Sequence, residues 1–144
     1  RAPIFFRDFE VPDTLDGRFD LMTLHAWLAL KRLQEAGLEQ LAQDLPDTIF
    51  TGFDEALREQ GAGDMSLGRK MKAMANAFYG RLAAYKGAAD EGALAMALAR
   101  NLWRGAEADG RALALAFYVR TARQALELSM IEQGKLDFGG LPYL

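Results

Sequence analysis

His25 is the chain's one histidine, and its sequence neighbours decide what chemistry it could do. A metal held there would need carboxylates alone to complete its shell, and no Glu-x-x-His pair exists of the kind that builds a di-iron bundle. As a general base it would need a nucleophile. The serines, Ser66 and Ser129, stand in no G-x-S-x-G elbow. Glu55 and Glu59 lie four apart on one helix face, a spacing commonplace on solvated helices. Gly63 and Gly68 have the separation of a phosphate loop. Arg69-Lys70-Met71 follows them, however, where Lys then Ser or Thr would hold phosphate and magnesium, and residues 56–60 before them read as helix rather than strand. A helix start beside Arg69 and Lys70 attracts anions in general, yet these glycines read best as turn residues. The inventory predicts no catalytic residues, no metal site and no cofactor, and it gives His25 a structural role in its helix.

The stretch that stands out is residues 61–81, GAGDMSLGRKMKAMANAFYGR. No acid occurs from Met65 to Ala89, while five bases do. At about 100° per residue, Met71, Met74, Ala75, Phe78, Leu82 and Tyr85 share one helix face. Ala73, Ala77, Gly80 and Ala84 share the opposite one. A helix bulky on one side and thin on the other can be covered on both. The spacing therefore predicts a central helix from about residue 66 to 86, with Lys70, Lys72, Tyr79 and Arg81 on its flanks. From Glu35 to Asp64 there are eight acids and one base, Arg58. Those acids are candidates to pair with the bases that follow, leaving a solvated charged rim; the bases are equally a patch for another macromolecule. Met65, Met71 and Met74 likewise suit either core filling or a groove for a foreign apolar segment, since Met adapts to irregular partners.

The elements that must position these residues are helical throughout. Residues 1–19, with Pro3, Pro12, four acids and Phe5, Phe6 and Phe9, read as an arm packed on the body. Asp20 is a plausible N-cap for a helix carrying Leu21, Leu24, Trp27 and Leu28, ended by Gly37. A second pattern starts at Leu38 and breaks at Pro46, which opens a new segment with Ile49, Phe50, Phe53 and Leu57 as its stripe. Gly61 suits a left-handed closing position. Ser66 or Asp64 caps the next helix, which runs to about Lys86. Another begins near Asp90 and closes at Gly105, and the last runs from Arg111 to about Gln133. Residues 20–133 form the helical domain and 134–144 a C-terminal tail. The prediction is an all-α fold: a single compact multi-helix domain of about five to seven helices around the two-faced helix.

Length and composition agree. A chain of 144 residues with 51% hydrophobic and 26% charged content is about one globular domain. A formal net charge of −3 gives no bulk attraction to DNA, although a local patch can act against that average. Cysteine is absent, which excludes disulfides and thiolate metal sites and fits a reducing compartment. No apolar run reaches the roughly 20 residues a bilayer span needs, and no signal or transit peptide is evident. The chain opens on Arg1 rather than Met, so an upstream segment, with any targeting or anchoring element it carried, is expected.

The run Gly61-Ala62-Gly63-Asp64-Met65-Ser66-Leu67-Gly68-Arg69-Lys70-Met71-Lys72, continuing to Phe78-Tyr79-Gly80-Arg81, resembles the signature of the ubiquinol–cytochrome c chaperone family. That pattern looks like G-V-G-D-L-S-V-G, then bases, then a helix ending in Y-G-R. Leu24-His25-Ala26-Trp27 and Arg100-Asn101-Leu102-Trp103 are weaker echoes. Ala62 departs from the valine often found there. The resemblance implies a non-enzymatic assembly factor for the cytochrome bc1 complex that binds newly made cytochrome b. It implies work with the ribosome or a small partner subunit and peripheral contact with the inner membrane. The location implied is the cytoplasmic face in a bacterium or the matrix side in a mitochondrion. The candidate client- or partner-binding residues are then Met65, Met71, Tyr79 and Trp103, with the bases Arg69, Lys70, Lys72 and Arg81 for lipid head groups, ribosomal RNA or an acidic partner. The alternative from another class is a helical binding protein for a lipid or quinone-like ligand, which calls for a closed apolar cavity.

Overall fold

A computed structural model describes residues 2–144. The described residues form six α-helices and no strand: α1 (Ile4–Arg7), α2 (Leu15–Glu35), α3 (Glu39–Glu59), α4 (Asp64–Lys86), α5 (Glu91–Leu102) and α6 (Gly110–Leu128). A 3-10 turn, Ile131–Gln133, follows α6. The fold is the all-α single domain that helical spacing predicts.

The centre is occupied by α2, not by the helix of the 61–81 stretch. α2 packs against α3, α4, α5 and α6, because large apolar side chains leave it in two directions. Leu21, Leu24 and Leu28 enter the main core with Phe5, Phe9, Leu98, Leu102, Leu115 and Val119. Phe19 and Ala26 point the other way, into a second core with Ile49, Phe53 and Phe78 from α3 and α4. The expected two-faced role of α4 holds only in part: Ala77 and Ala84 of its small face pack against the cores. Its bulky face packs inward through Phe78 and Tyr85, but Ala73 and Gly80 on the small face are exposed. A Cβ added at Gly80 would meet nothing within 4 Å.

Three helix boundaries differ from those that spacing predicts. Asp20 is not an N-cap. The cap lies six residues earlier, where the Thr14 hydroxyl accepts the Gly17 amide at 3.2 Å. The arm crosses this first turn so closely that a Cβ at Gly17 would lie 1.9 Å from the Pro12 carbonyl oxygen. Only glycine fits. Pro46 does not open a segment either. It sits buried inside one continuous α3, held through the lost hydrogen bond by Leu45, Ile49 and Phe53 packing on α2 and α4. α6 stops at Leu128, where Ser129 turns extended and its hydroxyl donates to the Leu126 carbonyl at 2.7 Å. Asp90 caps α5 as its position suggests, accepting the Ala93 amide at 2.7 Å. Gly61, at φ +83°, takes the left-handed conformation predicted after α3.

His25 ties both chain ends to this frame. Its Nδ1 lies 2.8 Å from the Leu21 carbonyl, which can only accept, so Nδ1 carries the proton. Nε2 is therefore free to accept from the Tyr118 hydroxyl at 2.9 Å. Burial pushes that hydroxyl up to about 12, so it stays a donor at every physiological pH. The Phe5 and Phe138 rings meet the imidazole edge-on at 5.5 and 5.2 Å. Burial also holds His25 below its ordinary 6.5, against the Leu21 hydrogen bond that favours the charged ring. The histidine is thus a neutral structural group.

Candidate partner-binding surface

α4 begins at a turn rather than a cradle. Gly63 precedes it in an extended conformation, and the Ser66 hydroxyl donates back to the Gly63 carbonyl at 2.9 Å. Helical phase then distributes the candidate residues. With 100° per residue, Met65, Arg69, Lys72, Asn76, Tyr79 and Ala83 fall within about 80° of arc. All of them are exposed, Met65 by 87% and Tyr79 by 55%. Lys70 is exposed but lies about 100° of arc beyond one edge of this stripe, and Met71 is half-buried about 80° beyond the other. Tyr79 is steadied by the rings of Phe78 at 5.2 Å and Phe50 at 6.4 Å.

The charges on this face have no internal use. Among the described residues, no carboxylate forms an ion pair with Arg69, Lys70 or Lys72. The expected pairing with the acids of α3 does not form. Among the described residues, the one ion pair spanning the α3–α4 turn is Arg58 with Asp64, at 3.5 Å, and Arg58 also pairs with Asp54 at 2.8 Å. An unpaired cluster of like charges repels itself modestly, so α4 holds a surface that an outside anion would relieve.

Two candidates lie elsewhere. Arg81 turns inward: its side chain is 12% exposed, and Nη2 lies 2.6 Å from Oδ1 of Asp20, which is 2% exposed. It also covers the Phe19 ring at 5.3 Å. Arg104 reaches the other carboxylate oxygen of Asp20 at 2.9 Å and hydrogen-bonds the Asn101 carbonyl. Burial pushes the Asp20 carboxyl above the usual aspartate range, while Arg81 and then Arg104 pull it back. This node joins α2, α4 and the end of α5. Trp103 is part of the arm's anchorage, with Nε1 donating to the Phe9 carbonyl at 2.9 Å and Arg111 stacked on its ring at 5.3 Å. Neither residue joins the exposed stripe.

Sequence reasoning missed a groove. Between α2, α4, α5 and α6 lies an open trough of about 890 Å³. Its floor includes Trp27, Leu30, Leu82, Leu94, Ala116 and Val119. The Trp27 and Tyr85 rings meet at 5.4 Å along its wall. Charged side chains of both signs rim it, among them the Arg120–Glu91 pair at 3.3 Å. Each floor residue also reads as ordinary core spacing, so nothing in the sequence separates the floor from the interior. The groove is open to solvent and is not the closed cavity a lipid or quinone-like ligand calls for. Among the described residues, no group of three or more acids and histidines comes together as a metal site, and no helix is long and apolar enough to cross a membrane.

A helical domain with an open apolar groove and an unpaired basic face has the features of a protein that works by binding other macromolecules. The chain belongs to the ubiquinol–cytochrome c chaperone family, whose pattern it matches over residues 7–132. It is 29% identical to ubiquinol-cytochrome-c reductase complex assembly factor 1 of Xenopus laevis, over 85% of this chain and 64% of that protein. It is also 29% identical to the Mus musculus protein of that name, over 69% of this chain and 34% of the mouse protein. The chain therefore spans less than two thirds of the length of these relatives. The crystal structure of the Cbp3 homolog from Brucella abortus superposes with a TM-score of 0.79 and 40% sequence identity, covering 92% of this chain and 77% of that one.

Proposed function

We propose that the chain is a non-enzymatic assembly factor for ubiquinol–cytochrome c reductase that receives newly made cytochrome b. Family membership supports the assembly role. The observation that carries the client reading is the open groove, with its apolar floor rimmed by charge. An apolar helix that has not yet inserted must keep its side chains from water, and a helix-in-groove contact does so without burying unpaired charge. The charged rim discourages self-association of the free chaperone. Work beside the ribosome or a small partner subunit, on the cytoplasmic or matrix side of the inner membrane, belongs to the same reading.

A photo-crosslinking residue placed at Leu94, on the groove floor, tests it in cells making cytochrome b. The expected product is a crosslink to cytochrome b. A strain lacking the chain should lose assembled complex while growing normally by fermentation. A crosslink that never includes cytochrome b, or unchanged complex in the deletion strain, would overturn the reading.

A further inference from the structure

We propose that the α6 face beneath residues 138–144 is a second binding site, for an extended apolar segment of another polypeptide. The chain's own tail is a strap that covers this site until such a segment displaces it. The strap is held by side chains alone. Among the described residues, no hydrogen bond or ion pair joins residues 136–144 to the helices. The one hydrogen bond within the strap runs from the Gly139 amide to the Asp137 carboxylate, at 2.8 Å. Its anchors are Phe138, which meets the His25 ring edge-on, and Pro142, which is buried. Gly139 lets it lie flat on the helix: at φ +75°, a Cβ there would stand 3.0 Å from that of Ala125. Leu141, Tyr143 and Leu144 nevertheless stay exposed, by 59%, 74% and 62%. A segment held this way opens at small cost, since few apolar contacts and no backbone bonds to the body are given up.

The strap fits this face incompletely. Ala114, Phe117, Tyr118 and Thr121 of α6, with Pro142 of the strap, border a pocket of about 250 Å³. That is room for one more aromatic or large aliphatic side chain. No residue lining the pocket is charged, so a charged group entering it would lose its water without gaining a partner. The chemistry selected is therefore that of the strap itself, an extended segment anchored by an aromatic ring and a second apolar group, with one bulkier side chain added. A second copy's strap brings the same side chains and leaves the same space. It gains nothing over the tethered one, whose effective concentration is about millimolar.

This site is separate from the groove. At 100° per residue, Ala114, Phe117, Tyr118 and Thr121 lie on the flank of α6 opposite Ala116, Val119 and Arg123, which line the groove. The inference thus goes beyond the client reading above. Its test contains no cytochrome b, so its failure leaves that reading standing.

The test uses the full chain and a fluorescent peptide with the sequence of residues 136–144, LDFGGLPYL. Anisotropy should show weak binding to the parent, whose own strap competes. Phe138→Ala with Pro142→Ala in the chain frees the face, and the peptide should then bind about tenfold more tightly or better. Thr121→Lys added to that variant puts a charge on the face and should abolish binding. Each anchor change alone should give an intermediate gain, so the single variants decide the matter where the pair does not melt cooperatively. Equal binding by the parent and the freed variants, equal binding of a scrambled peptide, binding that survives Thr121→Lys, or no binding to any folded variant would each overturn the inference. A dimer of the parent in sedimentation that disappears in the anchor variants would also overturn it, by giving the site to a second copy's strap.

Discussion

Replacing Arg81 by Leu separates a structural role for the family's Tyr-Gly-Arg arginine from a partner-binding one. In the parent, Arg81 sits 2.6 Å from a carboxylate that is 2% exposed. Removing one member of such a pair leaves a buried charge short of its partner, which costs about 3–5 kcal/mol in comparable sites. Arg104 stays at the other oxygen, but it is 56% exposed and held in solvent's reach. Its share is that of a screened surface pair, about 0–1 kcal/mol. We therefore expect Arg81→Leu to lose about 3 kcal/mol, and Arg104→Ala no more than about 1. For a domain of this size, the first is a fall of roughly 10 °C in Tm.

The assay is far-UV circular dichroism during heating, with urea titration for the free energy. Two controls sharpen it. Asp20→Asn added to Arg81→Leu removes the stranded charge and should recover roughly half or more of the loss. Acid should also narrow the deficit. Burial holds the native Asp20 pKa above its unfolded value. The native state therefore takes its proton first as pH falls, and the stability this contributes is present at low pH and lost as pH rises through the native pKa. With Arg81 gone the native pKa rises further, so Arg81→Leu should approach the parent as pH is lowered from neutral toward the aspartate range. An Arg81→Leu variant that melts within about 2 °C of the parent would refute the reasoning and return Arg81 to the partner surface.

Two further outcomes are expected. Gly80→Ala should raise stability by about 0.5–1 kcal/mol in urea titration, because the site is open and alanine only removes backbone freedom from a helix interior; a loss would mean that a neighbour covers this face. The single imidazole resonance, followed by NMR, should titrate below 6.5, because His25 is buried. A native pKa below the unfolded one gives stability that is present above pH 6.5 and lost as pH falls through the native value, so the parent should weaken on mild acidification in a way that His25→Gln does not. A midpoint at or above 6.5 would contradict the neutral, hydrogen-bonded ring.

The α4 stripe was legible in the sequence because it depends on local properties. Charge and helical phase alone place Lys70, Lys72 and Tyr79 off the bulky face of α4, and the structure leaves all three exposed. Arg81 was misplaced because only a partner distant in sequence turns it inward. Asp20 lies on another helix and looks from its own neighbours like an ordinary cap. The groove was invisible for a similar reason. Leu82 and Leu94 have the spacing of core residues, and what leaves them half-covered is the distance between helices.

Helical periodicity, the glycines that end helices and the thin catalytic inventory determined, from residues alone, an all-α domain with a basic helix after Gly63. Tertiary structure decided which helix is central. α2 took that place because its apolar side chains leave in two directions and find partners in both. Of the small side chains of α4, Ala77 and Ala84 found partners in the two cores, whereas Ala73 and Gly80 stay exposed, with too little apolar area to draw a neighbour over them. Tertiary structure likewise carried α3 through Pro46 and set the start of α2 at Thr14, where contacts made across the fold outweigh the local signals that favoured a break and a later cap.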